Sequence, residues 1–202
     1  MLRLTAGLLL VAGLWQLGGA ALIHGKAWLA PILIERAWEK SLEQSSPVKP
    51  WRWADTWPLA RLRVEALGIT RYVLTGANGA SLPFGPGHLD GSALPGQPGS
   101  IVIAGHRDTH FGFLDELSPG IKVELTGING TTRVFRVSGQ QMVDARTHGI
   151  APLTDGSELI LVTCEPTHAF RYRGPFRLVV TAVLTASPLT VSVKEPDSSV
   201  SS

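Results

Sequence analysis

Leu159-Ile160-Leu161-Val162-Thr163-Cys164-Glu165-Pro166 carries the chain's only cysteine at the end of an apolar run that a proline then stops. A run this short, rich in β-branched and aliphatic residues, reads as a buried strand. The thiol then lies at the strand's exit, where a rigid scaffold can aim it at a ligand. A second run, Ile101-Val102-Ile103-Ala104, ends in Gly105-His106-Arg107-Asp108-Thr109, and a third opens on arginine, Arg177-Leu178-Val179-Val180-Thr181-Ala182. Three strand ends thus offer a thiol, an imidazole and a guanidinium, a set suited to a cysteine nucleophile. A lone cysteine in an apolar segment is more often a small buried hydrophobe, so the surrounding pattern has to decide.

That pattern is mostly β. Strand-like runs recur at Leu62–Leu67, Tyr72–Leu74, Lys122–Leu125, Arg133–Val137 and Phe176–Leu184, and Asn129-Gly130 is a hairpin signal between two of them. Seven or eight strands with few long helical windows predict an all-β fold with short helices, closed or nearly closed into a barrel. The glycine- and proline-rich stretch from Gly85 to Gly99 reads as loop.

The N-terminal part differs in kind. Leu4 to Ile23 is a run of 20 residues without charge, about what a helix needs to cross the hydrocarbon core. A cleaved signal peptide is the rival reading, since Gly19-Ala20-Ala21 offers small residues to a peptidase. Apolar residues continue through Trp28-Leu29-Ala30-Pro31-Ile32-Leu33-Ile34, which favours an uncleaved transmembrane anchor. Ala27 to Gln44 carries Trp28, Ile32, Ala37/Trp38 and Leu42 at helical spacing with a polar side, and Pro31 should kink it or mark its start. Such a helix can lie in the membrane interface on Trp28 and Trp38, or serve as a plain stalk. Ser45 to Pro50 reads as a linker, and Trp51, Trp53 and Trp57 as an arm packed on the barrel, rather than a peptide- or glycan-binding cluster. The expected layout is an anchor over 1–25, a juxtamembrane helix and linker over 26–50, a catalytic barrel over 51–186 and a disordered tail over 187–202. At 202 residues, 44% hydrophobic and a formal charge of +2, with no dense Lys/Arg stripe, the chain has no nucleic-acid footprint. One cysteine excludes an intramolecular disulfide framework.

Leu161-Val162-Thr163-Cys164, an arginine 13 residues on (177 − 164), and Gly105-His106-Arg107-Asp108-Thr109-His110-Phe111 upstream closely resemble the sortase family of cysteine transpeptidases. In that family the cysteine closes a Thr-Leu-x-Thr-Cys-type strand, the histidine ends an earlier strand and the arginine opens the last. Here the first threonine is absent, with Ile160 or a neighbour in its place. The stretch from Gly105 to Phe111 and Cys164-Glu165-Pro166 are most similar to class D. The Trp51-to-Pro58 leader resembles the branch found in Gram-negative, often marine, bacteria. The resemblance spans roughly residues 50 to 186. It implies an eight-stranded barrel, an N-terminus in the cytoplasm and a catalytic domain on the periplasmic side of the inner membrane. It also implies an exported partner protein bearing a C-terminal sorting signal of the Leu-Pro-x-Thr-Gly type. The amine acceptor is left open, and no cofactor is called for.

The residue chemistry stands beside this. A thiol of ordinary pKa, about 8.5, is only partly ionised at neutral pH, so a nearby cation helps. His106 can be that cation and the acid for the leaving amine. Arg177, always charged and planar, suits an oxyanion or substrate carbonyls. Arg171 and Arg173 lie closer in sequence, but in a polar, glycine-bearing loop, where they are candidate substrate contacts. His106 and His110 mimic a metal pair at helical spacing, yet Arg107 stands where a zinc protease needs glutamate, so no metal is expected. Asp108 can orient an imidazole or cap the short helix near Phe111, and capping is preferred. Two rivals stay open: another cysteine peptidase or transpeptidase acting on peptidoglycan, and a non-catalytic, membrane-tethered β-barrel binding module.

Overall fold

The computed structural model describes residues 28–79, 81–147, 157–164 and 176–185. Eight strands dominate: β1 Pro58–Val64, β2 Ile69–Thr75, β3 Gly87–His88, β4 Ile101–Gly105, β5 Lys122–Gly127, β6 Thr132–Asp144, β7 Glu158–Cys164 and β8 Phe176–Leu184. They close into a barrel in the order β1-β2-β3-β4-β7-β8-β6-β5. Most neighbours are antiparallel, but β4 and β7 run parallel, and so do β2 and β3.

Period-two alternation makes the interior. Ala60, Leu62 and Val64 of β1, Leu159 and Leu161 of β7, and Leu178, Val180 and Ala182 of β8 all belong to one buried cluster. Burying each Leu or Val side chain is worth about 1.5–3 kcal/mol. The alternate positions Val102, Ile160, Val162 and Val179 form a second, separate cluster. Successive side chains leave a strand on opposite faces, so this smaller cluster lies on the outside of the β4-β7-β8 wall.

The strand runs read from sequence are all present, with shifted ends. The Leu62–Leu67 run breaks after Val64 into a 3-10 turn, Glu65–Leu67, closed by left-handed Gly68. Arg133–Val137 is only the start of β6, which continues to Asp144 because it pairs with the whole of β8. Asn129-Gly130 does turn β5 into β6, with the Gly130 N–H donating to the Gly127 carbonyl at 3.0 Å. The loop expected from Gly85 to Gly99 contains one element that composition hides, the two-residue strand β3.

Residues 28–44 are helical. Ala30, Ile34, Ala37, Trp38 and Ser41 form its buried stripe, with Trp38 only 1% exposed. Trp38 meets Tyr72 of β2 with ring centroids 6.1 Å apart, and the Tyr72 hydroxyl donates to Glu35 Oε1 at 2.9 Å. Trp38 is therefore a packing residue against the barrel and neither a membrane anchor nor part of a free stalk. The tryptophan arm follows, with Trp51 edge-on to Phe84 at 5.3 Å. Among the described residues no helix is long and apolar enough to cross a membrane. The expected anchor and the expected tail lie outside the described residues.

Candidate active site

The barrel order places β4, β7 and β8 side by side. β4 and β7 are parallel and in register from Ile101↔Leu159 to Gly105↔Thr163. His106 follows Gly105 and Cys164 follows Thr163, so both leave the same edge of the barrel from neighbouring strands. β8 runs the other way and begins there, with Cys164 opposite Arg177. Neighbouring strands are about 4.8 Å apart. The three positions chosen from sequence thus lie on three consecutive strands within a span of roughly 10 Å. Sequence separation hides this, because His106 and Cys164 are joined only through the parallel ladder.

Two local devices fix the edge. The buried Thr163 hydroxyl donates to the Gly105 carbonyl at 2.8 Å, a side-chain tie between the residues immediately preceding His106 and Cys164. Above it the chain turns sharply. The His106 carbonyl accepts from the N–H groups of both His110 and Phe111, each at 3.0 Å, within the wide turn Arg107–Phe111. This turn drops the fully buried Phe111 ring onto Gly105. A Cβ at position 105 would approach Phe111 Cγ to 2.8 Å, so only glycine lets the ring sit there. His106 itself is exposed. Arg177 is half-buried and donates from Nη1 to the Phe176 carbonyl at 2.9 Å.

The remaining candidates separate cleanly. His110 is half-buried. Its pKa is pushed below the ordinary value mainly by burial, helped by the charges of Arg71 and His106 and opposed by the Pro83 backbone. Arg71 donates from Nε to the His110 carbonyl at 3.2 Å, tying β2 to the turn. Asp108 caps neither short helix, since no side chain bonds either N-terminus. It forms instead a loose exposed pair with Arg107 at 3.8 Å. Among the described residues no group of three His, Cys, Asp or Glu side chains could hold a metal ion. Arg171 and Arg173 lie outside the described residues.

Two structural residues escaped the sequence reading. Thr163 looked like one more strand residue, and nothing local announces its partner 58 positions away. His88, within the supposed loop, is 5% exposed. One ring nitrogen, Nε2, lies 3.0 Å from both the Ala93 carbonyl and the Ser92 hydroxyl. The Val102 N–H in turn donates to Ser92 at 3.2 Å, which fastens the loop to β4.

A family profile described as the sortase domain matches residues 62–185, well over half of the chain. The chain belongs to the sortase family. Sortase D of Bacillus subtilis (strain 168) is 33% identical over 122 residues, covering 59% of this chain and 60% of that protein. This sortase therefore spans about 60% of the length of that relative. Among solved structures, sortase A from Corynebacterium diphtheriae matches with a TM-score of 0.58 and 28% identity over 68% of this chain and 65% of the other. A Clostridium perfringens sortase D5 transpeptidase matches at 0.59 and 20% identity, over 78% of this chain and 96% of that one. The last likeness concerns the fold alone. The closed eight-stranded barrel of this sortase is the fold expected from the resemblance.

Proposed function

We propose that this sortase is a membrane-anchored cysteine transpeptidase that cuts a Leu-Pro-x-Thr-Gly-like sorting signal in an exported protein. One observation carries the reading: strand register brings His106, Cys164 and Arg177 together at one edge of the barrel. The Cys164 thiolate attacks the scissile carbonyl carbon, forming an S–C bond as the C–N bond breaks. His106 gives its proton to the departing amine. Arg177 stabilises the charge that collects on the carbonyl oxygen, or holds substrate carbonyls in place. A second amine then attacks the thioester, the sulfur leaves as thiolate, and the proton shed by that amine returns to His106. Arg171 and Arg173 are weaker candidates for substrate contact.

The apolar start of such a signal needs an apolar wall beside the cysteine. The apolar outer cluster of Val102, Ile160, Val162 and Val179 lies on the same three strands. Position 164 continues the alternation of Ile160 and Val162 along β7. Class D-like character is supported by the identity to sortase D, and the Gram-negative branch by the tryptophan leader read from sequence. The Leu4–Ile23 run supports a single-pass inner-membrane anchor with the barrel on the periplasmic side.

The test is intact-mass spectrometry of the full chain in detergent with a library of Leu-Pro-x-Thr-Gly peptides. An acyl adduct on Cys164 that hydroxylamine or a primary amine removes is expected, and Cys164→Ala abolishes it without unfolding the barrel. Cleavage that persists in Cys164→Ala would overturn the nucleophile. Adducts with murein stem peptides alone would replace the substrate class. A thiol inert to mild alkylation would favour a binding module.

A further inference from the structure

A cavity of about 460 Å³ opens between the first turns of the helix and the tryptophan arm. Its walls include Leu29, Ala30, Leu33, Trp51, Trp53 and Phe84. That volume falls in the range of small-ligand sites, about 300–1,000 Å³, but few polar groups line it. Thr56 and Asp55 are the polar lining residues. The Thr56 hydroxyl is already committed to the Thr75 carbonyl at 2.8 Å. A sugar or a peptide backbone buried there would leave most of its donors and acceptors unpaired, at about 1–3 kcal/mol each in protein mutational terms. Hydrocarbon carries no such penalty.

The rim adds a second observation. Trp28 is 74% exposed, Trp53 80% and Leu29 45%. Tryptophans with one apolar face and a polar edge favour the boundary between lipid and water. The chain's own layout brings such a boundary close. Only His24, Gly25, Lys26 and Ala27 separate the uncharged Leu4–Ile23 run from Trp28. Five steps of extended chain reach roughly 17 Å at most.

We propose that this cavity takes a phospholipid acyl chain, with Trp28 and Trp53 seated in the headgroup layer, so that the barrel is held against the bilayer rather than swinging from a tether. The proposal rests on the anchoring reading for the proximity of the membrane, and on the cavity alone for the binding of lipid.

Labelling with a photoactivatable lipid separates the two. The full chain is reconstituted in phosphatidylcholine vesicles carrying a trace of phosphatidylcholine with a diazirine in one acyl chain. After irradiation the adducts are mapped by peptide mass spectrometry. Adducts are expected both within 4–23 and on the peptides holding Leu29, Leu33, Trp51 and Phe84. Trp53→Ser, at an exposed position that packing does not need, should lower cavity labelling several-fold while labelling of 4–23 stays unchanged. Labelling of 4–23 with none in the cavity overturns the lipid site and leaves the anchor standing. Cavity labelling without 4–23 upholds the site and removes the anchor. Cavity residues found only in cross-links between two copies of the chain overturn the lipid site in favour of self-association.

Discussion

Thr163 shows how little side chain is needed to align the two strand ends that carry the candidate residues His106 and Cys164. Its hydroxyl donates to the Gly105 carbonyl at the last paired position of the β4–β7 ladder. Thr163→Val keeps the shape and removes the donor, leaving a carbonyl buried without that partner. The expected loss is about 1–3 kcal/mol of stability, read from urea unfolding, together with a fall in kcat for sorting-peptide cleavage. Thr163→Ser should recover both, since it restores the hydroxyl. Equal behaviour of the Val and Ser variants would remove the hydroxyl from any positioning role. At this scale the sequence was informative about position, since His106, Cys164 and Arg177 were read at strand ends and lie at adjoining ones. It showed Thr163 and Gly105 within motifs but was silent on their partners, which come from register and from a turn folding back. Neither is written in local pattern.

The helix over 28–44 was legible as a helix but not as a packed one. Its sequence supports two overlapping apolar stripes. Spacing alone suggested Trp28, Ile32, Ala37, Trp38 and Leu42, whereas Ala30, Ile34, Ala37, Trp38 and Ser41 are buried. The choice is made by the partner, Tyr72, which packs on Trp38 and reaches Glu35. Burial first, and then the bond to Glu35, push the Tyr72 pKa up to about 12. The folded state therefore keeps the phenol proton to a higher pH than the unfolded chain, which releases it near 10. Stability from this contact is whole below about pH 10 and is lost as pH rises from there to about 12. Melting temperature should fall across that window in the wild type and less steeply in Tyr72→Phe, measured by circular dichroism. Only one other tyrosine, Tyr172, is present in the sequence, so phenolate absorbance can follow the titration directly. Identical slopes in the two proteins would mean that the helix is not held at this point.

Closure is a property of the whole barrel, and it depends on its smallest element. β3 contributes two residues, parallel to β2 through Leu74↔Gly87 and Thr75↔His88, and antiparallel to β4 through Gly87↔Ala104 and His88↔Ile103. Without that stitch β2 and β4 have no common neighbour and the barrel opens beside the strand that carries His106. The seam is tight because Gly87 passes under the 76–77 turn. A Cβ there would collide with the Gly76 carbonyl and lie 2.9 Å from Ala77 Cα, both of them backbone that cannot rotate away. Composition marked this stretch as loop, since two residues cannot show an alternation and glycine argues against a strand. Gly87→Ala should therefore cost about 1–3 kcal/mol, the usual penalty of overpacking, and should lower peptide cleavage as the end of β4 shifts. Gly79→Ala is the matched control in the same connection, because nothing lies within 4 Å of its added methyl. Its change should stay within about 0.5 kcal/mol. If the two variants unfold at the same urea concentration, the seam is held by the His88–Ser92 bonds instead, and β3 follows the fold rather than closing it.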